Sequence, residues 1–189
     1  MESLFHGIFE LLKISILSFI YSHLIILIFK SITKTKTGNF YQKIIEPKRR
    51  LWVIIAVLLF FFTTTNIGSH GLGDSANIPI SFTKSVSNID WVDYGTIKNA
   101  SFADGSTIET TRWKVKSGKL CGEMGSNTKN LNKAYFIYNI ENEQVTEYSN
   151  AEEYNKIATN LNLPMSTELL NFQENYTNYW RGWRFWFLP

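Results

Sequence analysis

The end of the chain carries its densest set of reactive side-chain types. Trp180, Trp183 and Trp186 recur at every third position, with Arg181 and Arg184 between them and Tyr176, Tyr179, Phe185 and Phe187 around them. Indole and guanidinium groups together suit lipid headgroups, ring stacking and protein contacts. Three roles are open for this stretch. It forms the last strand or helix of a core, it lies on the outer leaflet as an interfacial anchor, or it binds a partner. In the first role the arginines pair with acids of the domain. In the second they meet headgroup phosphates.

Other candidates are sparse. The histidines are His6, His23 and His70. Two of them, His6 and His70, are expected near the outer membrane face, but no third ligand accompanies them, so no metal or haem site is read. His23 lies inside an apolar run, where a polar group is costly. It is expected to bond a hydroxyl of a second helix, among Thr63, Thr64 and Thr65. The single cysteine, Cys121, excludes an intrachain disulfide and reads as a small buried residue. Asp74-Ser75 lacks the G-x-S-x-G frame of a nucleophile elbow and reads as a turn. Asp90 and Asp93 are read as solvated carboxylates. Phosphate-binding glycine loops, dinucleotide fingerprints and Cys/His metal spacings do not occur. No catalytic residue, metal or cofactor is assigned, and the chain is read as non-enzymatic.

The elements that must position these groups begin with two apolar runs. The first spans 11–29 and the second 51–69, with Trp52 as an interfacial anchor. Both are read as transmembrane helices, since a bilayer core takes roughly 20 helical residues. Glu2 and Glu10 in the opening residues argue against a cleavable signal peptide. The loop 30–50 holds Lys30, Lys34, Lys36, Lys43, Lys48, Arg49 and Arg50 against Glu46. Such loops stay in the cytoplasm, beside anionic headgroups. Residues 1–10 and a domain of residues 70–189 are therefore expected outside, which in a bacterium is the periplasm. From Gly68 onward there are eleven Lys or Arg and thirteen Asp or Glu, so this domain offers no basic field for nucleic acid.

The domain reads as strands followed by helices. Ile78–Phe82 alternates apolar and polar residues, residues 89–98 and Thr107–Leu120 are strand-like, and Ala103–Ser106 is a turn. Gly125–Asn132 is a polar loop. Ala134–Ile140 and Gln144–Tyr148 form a hairpin. A helix is expected from Ser149 to before Pro164, and a second from Ser166 to about Tyr176. The fold class is α+β: two N-terminal membrane helices, then a small mixed domain with an antiparallel sheet and C-terminal helices.

The stretch GLGDSANIPI after the second run, and the ending YWRGWRFWFLP, resemble a family of small membrane-anchored proteins of Bacteroidota with no assigned activity. The resemblance implies a bacterial inner-membrane location. The plan of two helices before a strand-rich module is also similar to effectors of bacterial cyclic-nucleotide immune systems, whose signal-binding barrel faces the cytoplasm. The expectation is an inner-membrane protein with both termini extracytoplasmic. It presents a binding or accessory domain to a membrane or periplasmic protein partner, with the bilayer as its other partner. The alternative is a self-associating membrane effector or pore component with a ligand-sensing β-rich domain. The residues do not decide oligomeric state.

Overall fold

Apolar side chains all the way round, without helix breakers, make the opening of the chain one long helix. In the computed structural model, which describes residues 2–33, 48–71, 73–102, 105–125 and 133–189, α1 runs Glu2–Thr33. Its apolar part, Leu4–Ile32, is 29 residues and is long enough to cross a membrane. The second run forms α2, Lys48–Thr63, of only 16 residues. At 1.5 Å per residue that is about 24 Å, short of a bilayer core of about 30 Å. The structure therefore holds one candidate spanning helix among the described residues, not two. The cause is local. Thr63, Thr64 and Thr65 turn their hydroxyls back onto the carbonyls of Phe60, Phe61 and Phe62 at 2.6, 2.7 and 2.7 Å, and such back-bonding competes with the helical ladder. Lys48, Arg49 and Arg50, expected in a loop, are helical instead. The rest of that loop, with Lys34, Lys36 and Lys43, lies outside the described residues.

Contacts divide the chain into two units, Met1–Gly68 with Gly182–Pro189, and Ser69–Arg181. In the first, Ile14, Leu17, Ser18, Ser22 and Ile26 make one buried stripe along α1. Each serine hydroxyl bonds a carbonyl three residues back, at 2.9 Å, so a small polar group enters the packed face satisfied.

The second unit is an antiparallel meander. Seven strands lie side by side in chain order: β1 (Ser75–Pro79), β2 (Ser85–Ile89), β3 (Gly95–Ser101), β4 (Thr107–Lys116), β5 (Lys119–Met124), β6 (Tyr135–Asn139) and β7 (Val145–Tyr148). A two-residue strand, β8 (Leu170–Asn171), adds to β4 through Arg112 and Trp113. Helices follow: α3 (Ala151–Asn160), a 3₁₀ turn at Ser166–Glu168, and α4 (Phe172–Trp180). The expected class, α+β with an antiparallel sheet and C-terminal helices, is the observed one.

Several boundaries differ from the reading of the sequence. β1 begins at Ser75 and ends at Pro79, ahead of the expected Ile78–Phe82. β2 was not expected, because Ser85, Ser87 and Asn88 are polar, yet four of its five residues are buried. Thr107–Leu120 is two strands, cut by a turn in which Ser117 and Gly118 take φ of 51° and 70°. Paired left-handed residues match the twist of a tight hairpin. The polar loop keeps Gly125 and otherwise falls outside the described residues, as do Ala103 and Asp104 of the expected turn. The β6–β7 hairpin and the helix capped by Asn150 form as expected. The second helix starts six positions later than Ser166, at Phe172. Asn171 and Glu174 make a reciprocal capping box there, with bonds of 2.8 and 2.9 Å.

The sheet coils, so that the turn after β1 reaches the turn after β6. Lys84, buried, donates to Glu143 at 2.5 Å and to the Asn99 carbonyl at 3.1 Å. Inside the coil, Ala76, Ile78, Val86, Ile97, Ile108, Trp113, Leu120, Phe136 and Tyr138 pack with Phe172 of α4. A second core lies under α3, where Cys121 and Ile137 meet Tyr154 and Ala158.

Candidate functional site

The three tryptophans at the end of the chain part company. Trp180 closes α4, buried, with Nε1 donating to the Asn77 carbonyl at 2.9 Å and its ring stacked on His70 at 3.6 Å. It is a core residue. At Gly182, φ is 71°, and the chain restarts as a short helix, α5 (Trp183–Phe187), in the other unit. There Trp183 is 59% and Trp186 70% exposed, and Phe185 and Phe187 are also exposed. Arg184 lies over the Trp183 ring at 5.1 Å, a cation–π contact. Arg181 is exposed at the break. Two contacts tie α5 to α1: the Tyr21 hydroxyl donates to the Phe187 carbonyl, and the Lys13 ammonium stands 5.2 Å from the Phe185 ring centre. The Nε1 of Trp52 on α2 donates to the Ser15 carbonyl of α1 at 3.3 Å. Two turns of α1 thus carry aromatic groups from two other segments.

The bond expected between His23 and the threonines is not made. His23 Nδ1 lies 2.9 Å from the Phe19 carbonyl of its own helix, and its ring, exposed, packs on Phe19 at 4.2 Å. Thr63 and Thr64 bond their own turn. His23, Thr63 and Thr64 are thus each served by a carbonyl of their own helix. His6 pairs with Glu10 one turn on, at 3.6 Å. Among the described residues no three His, Cys, Asp or Glu side chains converge as metal ligands.

Cys121 is fully buried. Burial pushes its thiol up, against the opposing bond to Tyr154, so it is a poor nucleophile. Tyr154 is fully buried as well, with its hydroxyl donating to the Pro164 carbonyl at 2.6 Å. Burial and then the neighbouring Cys121 hold its phenol far above the usual range. These are packing groups. Asp74, Asp90 and Asp93 are exposed.

The reading of the sequence passed over a cleft of about 250 Å³ between the β2–β3 turn and the start of α4, lined by Asn88, Trp91, Val92, Asp93, Asn171, Phe172 and Gln173. At the turn, Asp90 and Trp91 adopt φ of 58° and 52°. Asp tolerates that region, whereas a bulky aromatic there is an outlier costing of order 1–3 kcal/mol. Two things hold it. Asn88 Nδ2 donates to the carbonyls of Val92 and Tyr94, both at 2.7 Å, and the Trp91 ring meets Phe172 and Tyr176 edge-on at 6.2 and 5.4 Å. Trp91 still leaves 47% of its surface in solvent. Asn88 Oδ1 is buried and has no hydrogen-bond partner. A polar residue buried within a short strand, followed by Asp-Trp where Asn-Gly is favoured, is the sequence signal that marks this place.

Comparison with protein-family models, with curated proteins and with solved structures finds no match to this chain.

Proposed function

We propose that the chain is a membrane-anchored, non-enzymatic binding protein, held in the bilayer by α1 with α2 and α5 beside it. One observation carries this reading: only 28% of the most apolar stretch of α1 is buried. Leu11, Leu12, Ile16, Phe19, Ile20, Leu24, Leu27 and Ile28 of α1 are exposed, as are Val53, Ile54, Val57, Leu58 and Phe61 of α2. A core helix of a soluble protein hides such residues, and a water-soluble monomer rarely shows a continuous apolar patch above a few hundred Å². Lys30, Lys48, Arg49 and Arg50 stand at the ends of α1 and α2 that the intervening segment joins. The positive-inside rule then keeps those ends in the cytoplasm. Where the chain crosses back through α2 together with the uncharged residues that follow it to Gly68, the β-rich domain is displayed to the periplasm.

A second reading is favoured by the end of α2 at Thr63, where the threonine hydroxyls turn back onto their own carbonyls. If the chain does not cross there, the domain lies in the cytosol. A coiled meander on that side fits a membrane effector sensing a cytosolic ligand. Fusion of alkaline phosphatase or a fluorescent protein after Pro189 separates the two. Phosphatase activity with a dark fluorescent fusion is the outcome of the first reading, and the opposite pair is that of the second. Release of the full chain from membranes by alkaline carbonate overturns both.

A further inference from the structure

We infer that the cleft between the β2–β3 turn and the N-terminal end of α4 binds a neutral saccharide ring. Its walls are an aromatic surface, Trp91 and Phe172, three carboxamides, Asn88, Asn171 and Gln173, and one carboxylate, Asp93. A sugar ring has a C–H face that lies on an indole and a rim of hydroxyls that both donate and accept. The Asp93 carboxylate and the Asn88 oxygen accept, while the Gln173 carboxamide both donates and accepts, so this set matches a polyol rim.

Other ligand classes fit less well. No Lys or Arg lines the cleft, and Asp93 repels phosphate, which disfavours nucleotides. A quaternary ammonium is held by several aromatic faces. Here the Trp91 and Phe172 rings stand edge to face, at 75°. A purely apolar ligand would leave the Asn88 oxygen without a partner and take water from Asp93 and Gln173. At about 250 Å³ the space lies below the roughly 300–1,000 Å³ of sites for drug-sized ligands, so it takes one ring of a chain.

Two observations apart from composition point to a ligand. Asn88, 2% exposed, is one of the residues that line the cleft, and its buried carboxamide oxygen has no hydrogen-bond partner among the described residues. Buried acceptors of this kind are uncommon. The backbone also holds Trp91 in a disfavoured conformation, half exposed, where a smaller residue would make the turn more easily.

This inference goes beyond membrane attachment, and its test is read in micelles, so either proposal can fail alone. The full chain is purified in a polyoxyethylene detergent, which has no sugar headgroup, and titrated calorimetrically with chitotriose, maltotriose, tetramethylammonium and inorganic phosphate. At least one trisaccharide is expected to bind with Kd at or below about 5 mM. Trp91→Ala should weaken it about tenfold or more and Gln173→Ala about threefold, with Trp91→Tyr within about threefold of the parent and Trp183→Ala unchanged. The tyrosine variant guards against loss of fold. The inference is overturned if neither trisaccharide binds, if binding survives Trp91→Ala, or if tetramethylammonium or phosphate binds with the same dependence on Trp91.

Discussion

Tyr154 makes the energetics of single side chains concrete. Its phenol is fully buried against Cys121, Tyr135 and Tyr148, with ring distances of 5.2 and 5.8 Å to the two tyrosines. Its hydroxyl serves the carbonyl of Pro164, which follows α3. Tyr154→Phe keeps the ring and strands that carbonyl, so a loss of about 1–2 kcal/mol is expected at neutral pH. The same group governs alkaline behaviour. Tyr154, Cys121 and Lys84 all hold their protons more tightly folded than free, from ordinary values of 10.0, 9.0 and 10.5. For Lys84 the cause is first its bond to Glu143. A raised value means stability that is complete below the ordinary value and drains away as pH climbs past it. Urea titrations of the full chain in detergent, from about pH 7 to pH 11, should show stability falling from about pH 9. Tyr154→Phe should flatten that fall, and a fall of unchanged steepness would remove Tyr154 from the account. Much at this scale was readable in the residues: Cys121 as a small buried group, a helix opening near Ser149. The cleft was not, because it joins a turn at Trp91 to a helix start at Asn171, and proximity across the fold leaves no periodic trace. His23 misled for the opposite reason. Its cost inside an apolar run implied a distant partner, and its own Phe19 carbonyl was nearer.

The strands and helices show where pattern succeeds and where it is silent. The β6–β7 hairpin was clear, because Tyr135–Asn139 is a run of strong strand formers that stops at the polar Glu141-Asn142-Glu143. β2 was hidden, since its buried residues include Ser85, Ser87 and Asn88; Ser87 donates to Asn77 at 2.5 Å. The break at Ser117-Gly118 was missed because charged and β-branched residues run straight through it. Glycine separates two causes of strain here. At Gly118, φ is +70° and the only neighbour a Cβ would meet is the Glu141 carboxylate oxygen at 4.0 Å. Gly118→Ala should therefore cost about 1 kcal/mol, all of it conformational. At Gly122 of β5 a Cβ would stand 2.6 Å from the Phe136 ring and 2.8 Å from the Thr110 hydroxyl. Neither can retreat, since Phe136 is fully buried and Thr110 bonds the carbonyls of Arg112 and Glu123 at 3.0 and 2.8 Å. Gly122→Ala should cost about 1–3 kcal/mol through overpacking. Paired urea unfolding curves measure both, and a smaller loss at Gly122 than at Gly118 would contradict this picture of the coiled sheet.

At the scale of the whole chain, the two units differ in which way their apolar groups face. In Ser69–Arg181 most large apolar groups turn inward, as in a protein folded in water. In the other unit they turn outward along α1, α2 and α5. The apolar runs announced this contrast, but they did not announce that α2 ends at Thr63, because hydropathy counts methyl groups and ignores hydroxyls that reach back to carbonyls. Nor did they show that the last tryptophans serve two masters, with Trp180 in a core and Trp183 and Trp186 in the open. That division yields a prediction specific to place. Trp183 and Trp186 flank Phe185, whose ring faces Lys13 of α1 at 5.2 Å, and aromatic rings beside a snorkelling lysine settle at the headgroup boundary. In vesicles of lipids brominated high on the acyl chain, the full chain should lose part of its tryptophan emission. The double variant Trp183→Phe, Trp186→Phe should lose a smaller share. Trp180→Phe should leave the quenched emission in place while destabilising the domain, because its Nε1 bond to Asn77 and its stack on His70 are gone. Membrane attachment itself should survive the double variant, since α1 is anchor enough. Equal quenching before and after the double change would move α5 out of the bilayer and leave Trp52 as the remaining interfacial indole on these helices.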